Sequence, residues 1–182
     1  MPGEWKPVKR ERIHHFPVFD LMVETRISPR TGEHYPFYVL ETFDWVNVIP
    51  ITGDGDVIMI RQFRAGIGKI TLEIPGGVVD PEDDTPHFSA RRELREETGY
   101  DSDDIVHLGT VHPNPAIMNN RCHTFVARNV YLEGDQQLDC GEDIEVTQVP
   151  LKRVPALIAE GAITHSQVLN AFQWLFGLEH PR

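Results

Sequence analysis

The segment that most restricts how this chain can fold runs from Ile74 to Tyr100, "IPGGVVDPEDDTPHFSARRELREETGY". It reads as a strand end, a paired-glycine turn, an acidic loop and then a helix. Thr85 can cap that helix, Pro86 suits its first turn and Gly99 can close its end. Inside it Glu93, Glu96 and Glu97 alternate with Arg91, Arg92 and Arg95. At about 100° per residue, Glu93 and Glu97 share one face a turn apart, with Glu96 beside them. Like charges so placed destabilise an exposed helix by a few tenths of a kcal/mol, and by roughly 3 kcal/mol when partly desolvated at ~6 Å. Arg92 and Glu96 stand four apart and can pair on a solvated face. The glycine turn just upstream points to a second role, because it brings backbone carbonyls near the carboxylates. Clustered hard oxygen ligands suit Mg²⁺ or Mn²⁺, which keep several waters in an octahedral shell.

The rest of the chain supplies a sheet around this helix. Residues 16–26 and 35–43 read as two strands separated by "ISPRTGEH", an N-terminal hairpin. "VNVIPI" and "DVIMIRQFR" flank "TGDGD" as a second hairpin, and the apolar run Val57–Ile60 marks a strand buried on both faces. "KITLEIPGG", "IVHLGTVH" and "RCHTFVARNVYL" are further strands. Near the end, "VPLKRVPALIAEG" reads as a short helix with Pro155 in its first turn. Thr164 with Gln167 reads as a capping box opening a last helix, whose Val168, Ala171, Phe172 and Leu175 recur at core-facing spacing. Most strand connections are too short for parallel crossovers. The expected class is α/β (α+β), a mixed β-sheet with helices packed on it.

Charge sharpens the functional question. The formal net charge of −11 disfavours a nucleic-acid surface and repels anionic ligands at long range. A phosphate-ester substrate would therefore need local arginines or bound cations. No apolar run is long enough to span a membrane, and the start, "MPGEWKPVKRERIHH", has no secretory character. Cys122 and Cys140 are too few for a disulfide framework, so a reducing, cytoplasmic setting is expected.

At these residues the sequence resembles the Nudix hydrolase family, whose box continues Arg-Glu-apolar-x-Glu-Glu-x-Gly-apolar. Arg92 to Tyr100 match that half completely. The first half carries one residue more than the pattern, which leaves Glu82, Asp83 and Asp84 all open as the loop acid. The resemblance implies that Glu93 and Glu97 ligate metal, joined by a carbonyl of Pro75 or Gly76. Glu96 would ligate a second ion or orient its water. Arg92, Gly77 and Gly99 would be structural. Mg²⁺ or Mn²⁺, more than one ion per site, is the implied cofactor.

Further segments resemble the ADP-ribose and nucleoside-diphosphate-sugar branch of that family. Pro115 stands fifteen residues beyond Tyr100, a branch-like offset, and Asn119 nearby could bind a sugar or base. "DCGEDIEV" resembles the acidic loop that brings a carboxylate over the metals, which selects Glu142, with Glu145 next. "IRQFRAG" resembles the strand end that offers an arginine to the diphosphate, with Arg64 first and Arg61 second. The implied fold is the Nudix fold at 44–182, preceded by an N-terminal antiparallel β extension at 1–43. That extension would make a homodimer, by exchange between subunits, with Phe19, Tyr38 or Trp45 available to stack on the base. The implied activity is metal-dependent hydrolysis of nucleoside diphosphate sugars to a nucleoside monophosphate and a sugar phosphate. Two other readings stand beside it. One is the same chemistry on nucleoside triphosphates, dinucleoside polyphosphates or coenzyme A; the other is a non-catalytic ADP-ribose sensor.

Overall fold

The computed structural model of the chain describes residues 3–179. It divides into two compact units, residues 1–43 with 112–121, and residues 44–111 with 122–182.

The first unit is a three-stranded antiparallel sheet of β1 (Lys6–Phe16), β2 (Phe19–Ile27) and β3 (His34–Glu41), in that order. Sequence reading placed a strand at 16–26 and overlooked β1. The chain in fact turns at Pro17–Val18, between paired Phe16 and Phe19. Every residue of β1 is exposed, so it has no in-out alternation to betray it. Trp5, Tyr35 and Phe37 gather on this sheet, with Trp5 edge-on to Phe37 at 5.1 Å. The inserted turn 112–121 closes on β3. Leu40 donates its N–H to the Ile117 carbonyl at 2.7 Å, and Asn119 Oδ1 accepts the Thr42 N–H at 3.1 Å.

The second unit holds β4 (Trp45–Thr52), β5 (Asp56–Arg64), β6 (Lys69–Glu73), α1 (Pro86–Thr98), β7 (Tyr100–Asp101), β8 (Asp104–Val111), β9 (Cys122–Leu132), β10 (Ile144–Pro150), α2 (Val154–Ala159) and α3 (Ser166–Glu179). Its sheet runs β10-β5-β4-β9-β7, with β6 joined to β5 and β8 to β9. β4 and β9 are parallel and the other pairs antiparallel, so the sheet is mixed as expected.

Two apolar layers sandwich this sheet. On one face Val46, Val48, Ile58 and Phe125 of the sheet cluster with Ala90 and Leu94 of α1; on the other Ile49, Val57 and Met59 cluster with Val168, Phe172 and Leu175 of α3. Val57, Ile58 and Met59 alternate between the layers, which is why that run is continuously apolar. Fully burying a side chain such as Phe172 or Leu94 contributes ~1.5–3 kcal/mol. Helix α3 opens at Ser166, one residue later than a Thr164 cap predicts. Its first turn is closed by the Leu169 N–H on the His165 carbonyl, and Gln167 Oε1 accepts from the Ser166 hydroxyl instead.

Candidate active site

Helix α1 begins and ends where its sequence signals lie. Thr85 Oγ1 accepts the Phe88 N–H at 3.2 Å, Pro86 occupies the first turn, and Gly99 adopts φ 75°, donating its N–H to the Arg95 carbonyl. These fixed ends set the rotation of the helix, which turns Glu93 and Glu97 inward. They are 8% and 3% exposed, unusual values for carboxylates.

The turn at Gly76 and Gly77 meets them. Its backbone is strapped along β4, with the Pro75 carbonyl accepting from Val48 N–H and the Gly77 carbonyl from Val46 N–H, both at 2.9 Å. Between those straps the Gly76 N–H points to α1 and donates to Glu97 Oε2 at 2.8 Å. Neither glycine has room for a side chain. A Cβ at Gly76 would stand 2.3 Å from the Val46 carbonyl oxygen, and one at Gly77 2.4 Å from Glu93 Oε1. The glycine pair therefore lets carboxylate and backbone oxygens crowd together.

Arg92 organises the rim. Its Nη1 donates to Glu93 Oε1 (3.0 Å) and Glu96 Oε2 (2.9 Å), and its Nη2 to Asp83 Oδ2 (3.0 Å) and the Val78 carbonyl (3.1 Å). Of the three loop acids left open by the sequence, Asp83 alone has a buried carboxylate on Arg92, 6% exposed; Glu82 and Asp84 are exposed. Counting forward from Gly77 reaches the same residue, so the loop's extra length falls between Asp83 and the helix.

One arginine does not neutralise this many acids. Burial pushes the Glu93 carboxyl up to about 7 against the pull of Arg92, and Glu96 and Glu142 raise it further. Burial likewise pushes Glu97 up to about 8, opposed by the Gly76 N–H and reinforced by the charges of Glu93 and Glu142. A desolvated, under-compensated carboxylate pair beside backbone oxygens is a donor set that fits a divalent cation. Among the described residues, no three His, Cys, Asp or Glu side chains close around a common point. Glu96 pairs with Arg92, while Glu142, in the loop before β10, adds its charge to both buried carboxyls.

The other expected residues are distributed unevenly. Glu142 sits in the loop before β10, its Oε2 accepting the Asp139 N–H at 3.0 Å. Glu145 is on β10 itself, exposed and paired in register with Arg61 of β5, so it does not belong to the loop that sequence reading gave it. Gln136 braces that loop, donating to the carbonyls of Glu97 (2.6 Å) and Ile144 (3.2 Å). Arg64 forms a two-point pair with Glu73, Nε to Oε1 at 2.8 Å and Nη2 to Oε2 at 2.7 Å. Pro115 and Asn119 belong to the first unit, as do Phe19 and Tyr38, whereas Trp45 belongs to the second.

Glu73 is the functional candidate that sequence reading missed. It is 1% exposed and also accepts from Thr71 Oγ1 at 2.5 Å. Burial pushes its carboxyl up, but the bonds from Arg64 and Thr71 hold it below the ordinary value. The available signal was an acid inside the apolar strand "ITLEI", two residues before Pro75.

Comparison with known proteins accords with this geometry. Residues 42–172 match the model of the NUDIX domain. The ADP-ribose pyrophosphatase of Bacillus subtilis (strain 168) is 30% identical over 173 residues, covering 94% of this chain and 92% of that one. The methanol dehydrogenase activator of Bacillus methanolicus shows the same identity and coverage. A crystal structure of an ADP compounds hydrolase superposes with a TM-score of 0.85 at 20% identity, covering 98% of this chain and 95% of the other.

Proposed function

The chain belongs to the Nudix family, and on that premise we propose that it hydrolyses the diphosphate bond of nucleoside diphosphate sugars, ADP-ribose among them. The products are a nucleoside monophosphate and a sugar phosphate. The observation that carries this reading is the buried pair Glu93 and Glu97 held against Gly76 and Gly77. Relatives named as an ADP-ribose pyrophosphatase and, in mouse, an ADP-sugar pyrophosphatase support the substrate class.

Members of this family generally need divalent ions. Glu93 and Glu97, with the Gly76 carbonyl, are the residues that would hold Mg²⁺ or Mn²⁺. Gly76 is preferred over Pro75, whose carbonyl already accepts from Val48. Glu96 would serve a second ion after release from Arg92. Bound cations neutralise the diphosphate and lower the pKa of water to the neutral range.

The chain's own groups do the rest. Arg92, fixed by Asp83 and Val78, keeps Glu93 in place. Glu142, whose charge already acts on Glu93 and Glu97 from the loop before β10, takes the proton from the attacking water. Arg64, oriented by Glu73, offers its remaining N–H groups to a phosphate oxygen. Glu145, out on β10, is a weaker base candidate.

The three-stranded sheet of the first unit supports a homodimer. Strand β1 forms its edge, and an exposed edge is a template for pairing with another chain. No described helix is long and apolar enough to cross a membrane. The cysteines are unpaired, with Cys122 buried and Cys140 exposed, consistent with a reducing compartment.

The test is a substrate panel of ADP-ribose, GDP-mannose, UDP-glucose and NADH with Mg²⁺, run on wild type and Glu97→Gln. Turnover by wild type and its collapse in the variant are expected. Equal turnover by both would remove the carboxylate pair from the chemistry, and no turnover of any substrate would favour a sensor.

A further inference from the structure

Sequence reading passed over Gln136, yet its side-chain amide touches two functional elements at once. Nε2 donates to the Glu97 carbonyl at 2.6 Å and to the Ile144 carbonyl at 3.2 Å. The first carbonyl belongs to the backbone of a buried acid, the second to the residue that opens β10 directly after the acidic loop. We propose that Gln136 is a positioning residue for hydrolysis: its amide closes the neck of loop 137–143 onto the end of α1 and so fixes Glu142 relative to Glu93 and Glu97. The inference rests on the hydrolase reading above and deepens it, because it names what sets the distance between the proton acceptor and the cation site.

The end of α1 creates the demand for such a clamp. The last four carbonyls of a helix have no partner inside it. Here Gly99 N–H takes the Arg95 carbonyl, and segment 133–137 supplies donors to those that follow. Gln137 N–H reaches the Glu96 carbonyl at 2.8 Å, and the Gln136 amide reaches that of Glu97. The Glu133 and Gly134 N–H groups both donate to the Gly99 carbonyl, at 2.9 and 3.2 Å. The approach is so close that a Cβ at Gly99 would stand 2.2 Å from the Gly134 carbonyl oxygen. The segment leading into the acidic loop is thus the C-terminal cap of the helix that carries the buried acids.

Beyond the clamp the loop folds on itself. Glu142 N–H donates to the Asp139 carbonyl and Asp139 N–H to Glu142 Oε2, both at 3.0 Å. These bonds shape the turn without tying it to α1. Gln137 ties the start of the loop to the helix, the sheet holds its end where Ile144 pairs with Gln62, and the Gln136 amide locks the two anchors together. An amide suits the task, since its NH₂ offers one hydrogen to each carbonyl, and two carbonyl oxygens have only lone pairs to offer each other. Without that donor the oxygens face each other unpaired, and the neck opens or admits water. Glu142 acts electrostatically on Glu93 and Glu97 from this loop, so a shift of the neck is felt at the site.

The experiment has two arms. Gln136 is exposed, so replacing it leaves the core intact. In the first arm kcat and KM are measured, on the best substrate of the panel with Mg²⁺, for wild type, Gln136→Ala, Gln136→Glu, Gln136→Lys, Glu142→Gln and the double variant Gln136→Ala/Glu142→Gln. A misplacement of about 1 Å can cost ~100-fold, so the alanine and the isosteric glutamate should lose roughly 10- to 100-fold in kcat, with KM changed by less than about 2-fold. Lysine restores donors beside a helix C-terminus and should recover part of the loss. Once Glu142 is Gln, removing the amide should cost less than about 2-fold more, because the two residues act through one another. An unchanged kcat in Gln136→Ala, or a loss just as large in the Glu142→Gln background, overturns the proposal. The second arm does not depend on turnover. Amide hydrogen exchange read by mass spectrometry should quicken at 138–143 in Gln136→Ala and stay unchanged in β4 and β5. Unaltered exchange in the loop overturns the clamp whatever the kinetics. Quickened exchange in a protein whose wild type cleaves no nucleotide sugar sinks the hydrolase reading and leaves the clamp standing.

Discussion

Replacing Glu97 by Gln should make the metal-free protein more stable while removing its response to magnesium. Glu97 is 3% exposed, and its carboxyl is pushed from the ordinary 4.5 up to about 8, chiefly by burial. A carboxyl whose folded value lies above its unfolded one binds its proton more tightly in the fold. The fold is therefore favoured below about 4.5, and that advantage is lost as pH rises through about 8. At 1.36 kcal/mol per pH unit, the charged side chain costs the fold about 4 kcal/mol at pH 8. Glutamine keeps an oxygen for the Gly76 N–H and carries no charge, so most of that cost disappears. At 2–4 °C per kcal/mol for a chain of this size, Tm in EDTA at pH 8 should rise by roughly 10 °C. The gain should shrink toward pH 5, where wild type is protonated. Magnesium at about 100 times its Kd should stabilise wild type by about 2.7 kcal/mol and the variant far less. Differential scanning fluorimetry from pH 5 to 8, with and without MgCl₂, measures all of this. A variant less stable than wild type in EDTA at pH 8, or one with an undiminished magnesium shift, would refute the reasoning.

Three other outcomes follow from the geometry. Gly77→Ala places a methyl 2.4 Å from Glu93 Oε1, so activity should fall at least about 10-fold, with the magnesium requirement raised; a magnesium titration of initial rate checks it. Asp83→Asn should weaken the hold on Arg92 and lower kcat, whereas Asp84→Asn, at an exposed carboxylate, should leave steady-state kinetics unchanged; parity between the two variants would return the loop acid to open choice. Thr85→Ala removes the oxygen that caps Phe88 N–H and should cost about 1 kcal/mol by urea denaturation, and no measurable change would mean that the helix start does not rely on that cap.

What was legible in the sequence was mostly local. Thr85, Pro86 and Gly99 define α1 because each acts on backbone within a turn of itself, and the 3.6-residue period then fixes the face of Glu93 and Glu97. The core of α3 was equally readable, since Val168, Ala171, Phe172 and Leu175 are all 1% exposed or less. Strand β1 was not, because a fully exposed, charge-rich strand has no pattern to read. Strand β10 was obscured by the acidic residues before it and by its weak alternation: Ile144 and Val146 share one face, Gln148 interrupts it, and Val149 packs on the other. The parallel match of β4 with β9 joins segments some 77 residues apart, beyond any local signal. Glu73 escaped for a similar reason: its meaning lies in Arg64 across the β5–β6 hairpin and in His165 on a distant loop. The choice among Glu82, Asp83 and Asp84 needed the reach of Arg92.

The acidic loop between the glycine turn and α1 is moored at both ends. Val79 donates to the Asp44 carbonyl, Thr85 caps the helix, and Arg92 clasps Val78 and Asp83 from the far side. Slack between fixed moorings can be taken up without moving either shore, so an added residue after Asp83 leaves the carboxylates where they were. Recognition by strict residue spacing therefore undervalues chains of this kind. Searching for the anchoring contacts would find them, and the same stretch is where an engineer could splice in a reporter peptide with least harm to catalysis.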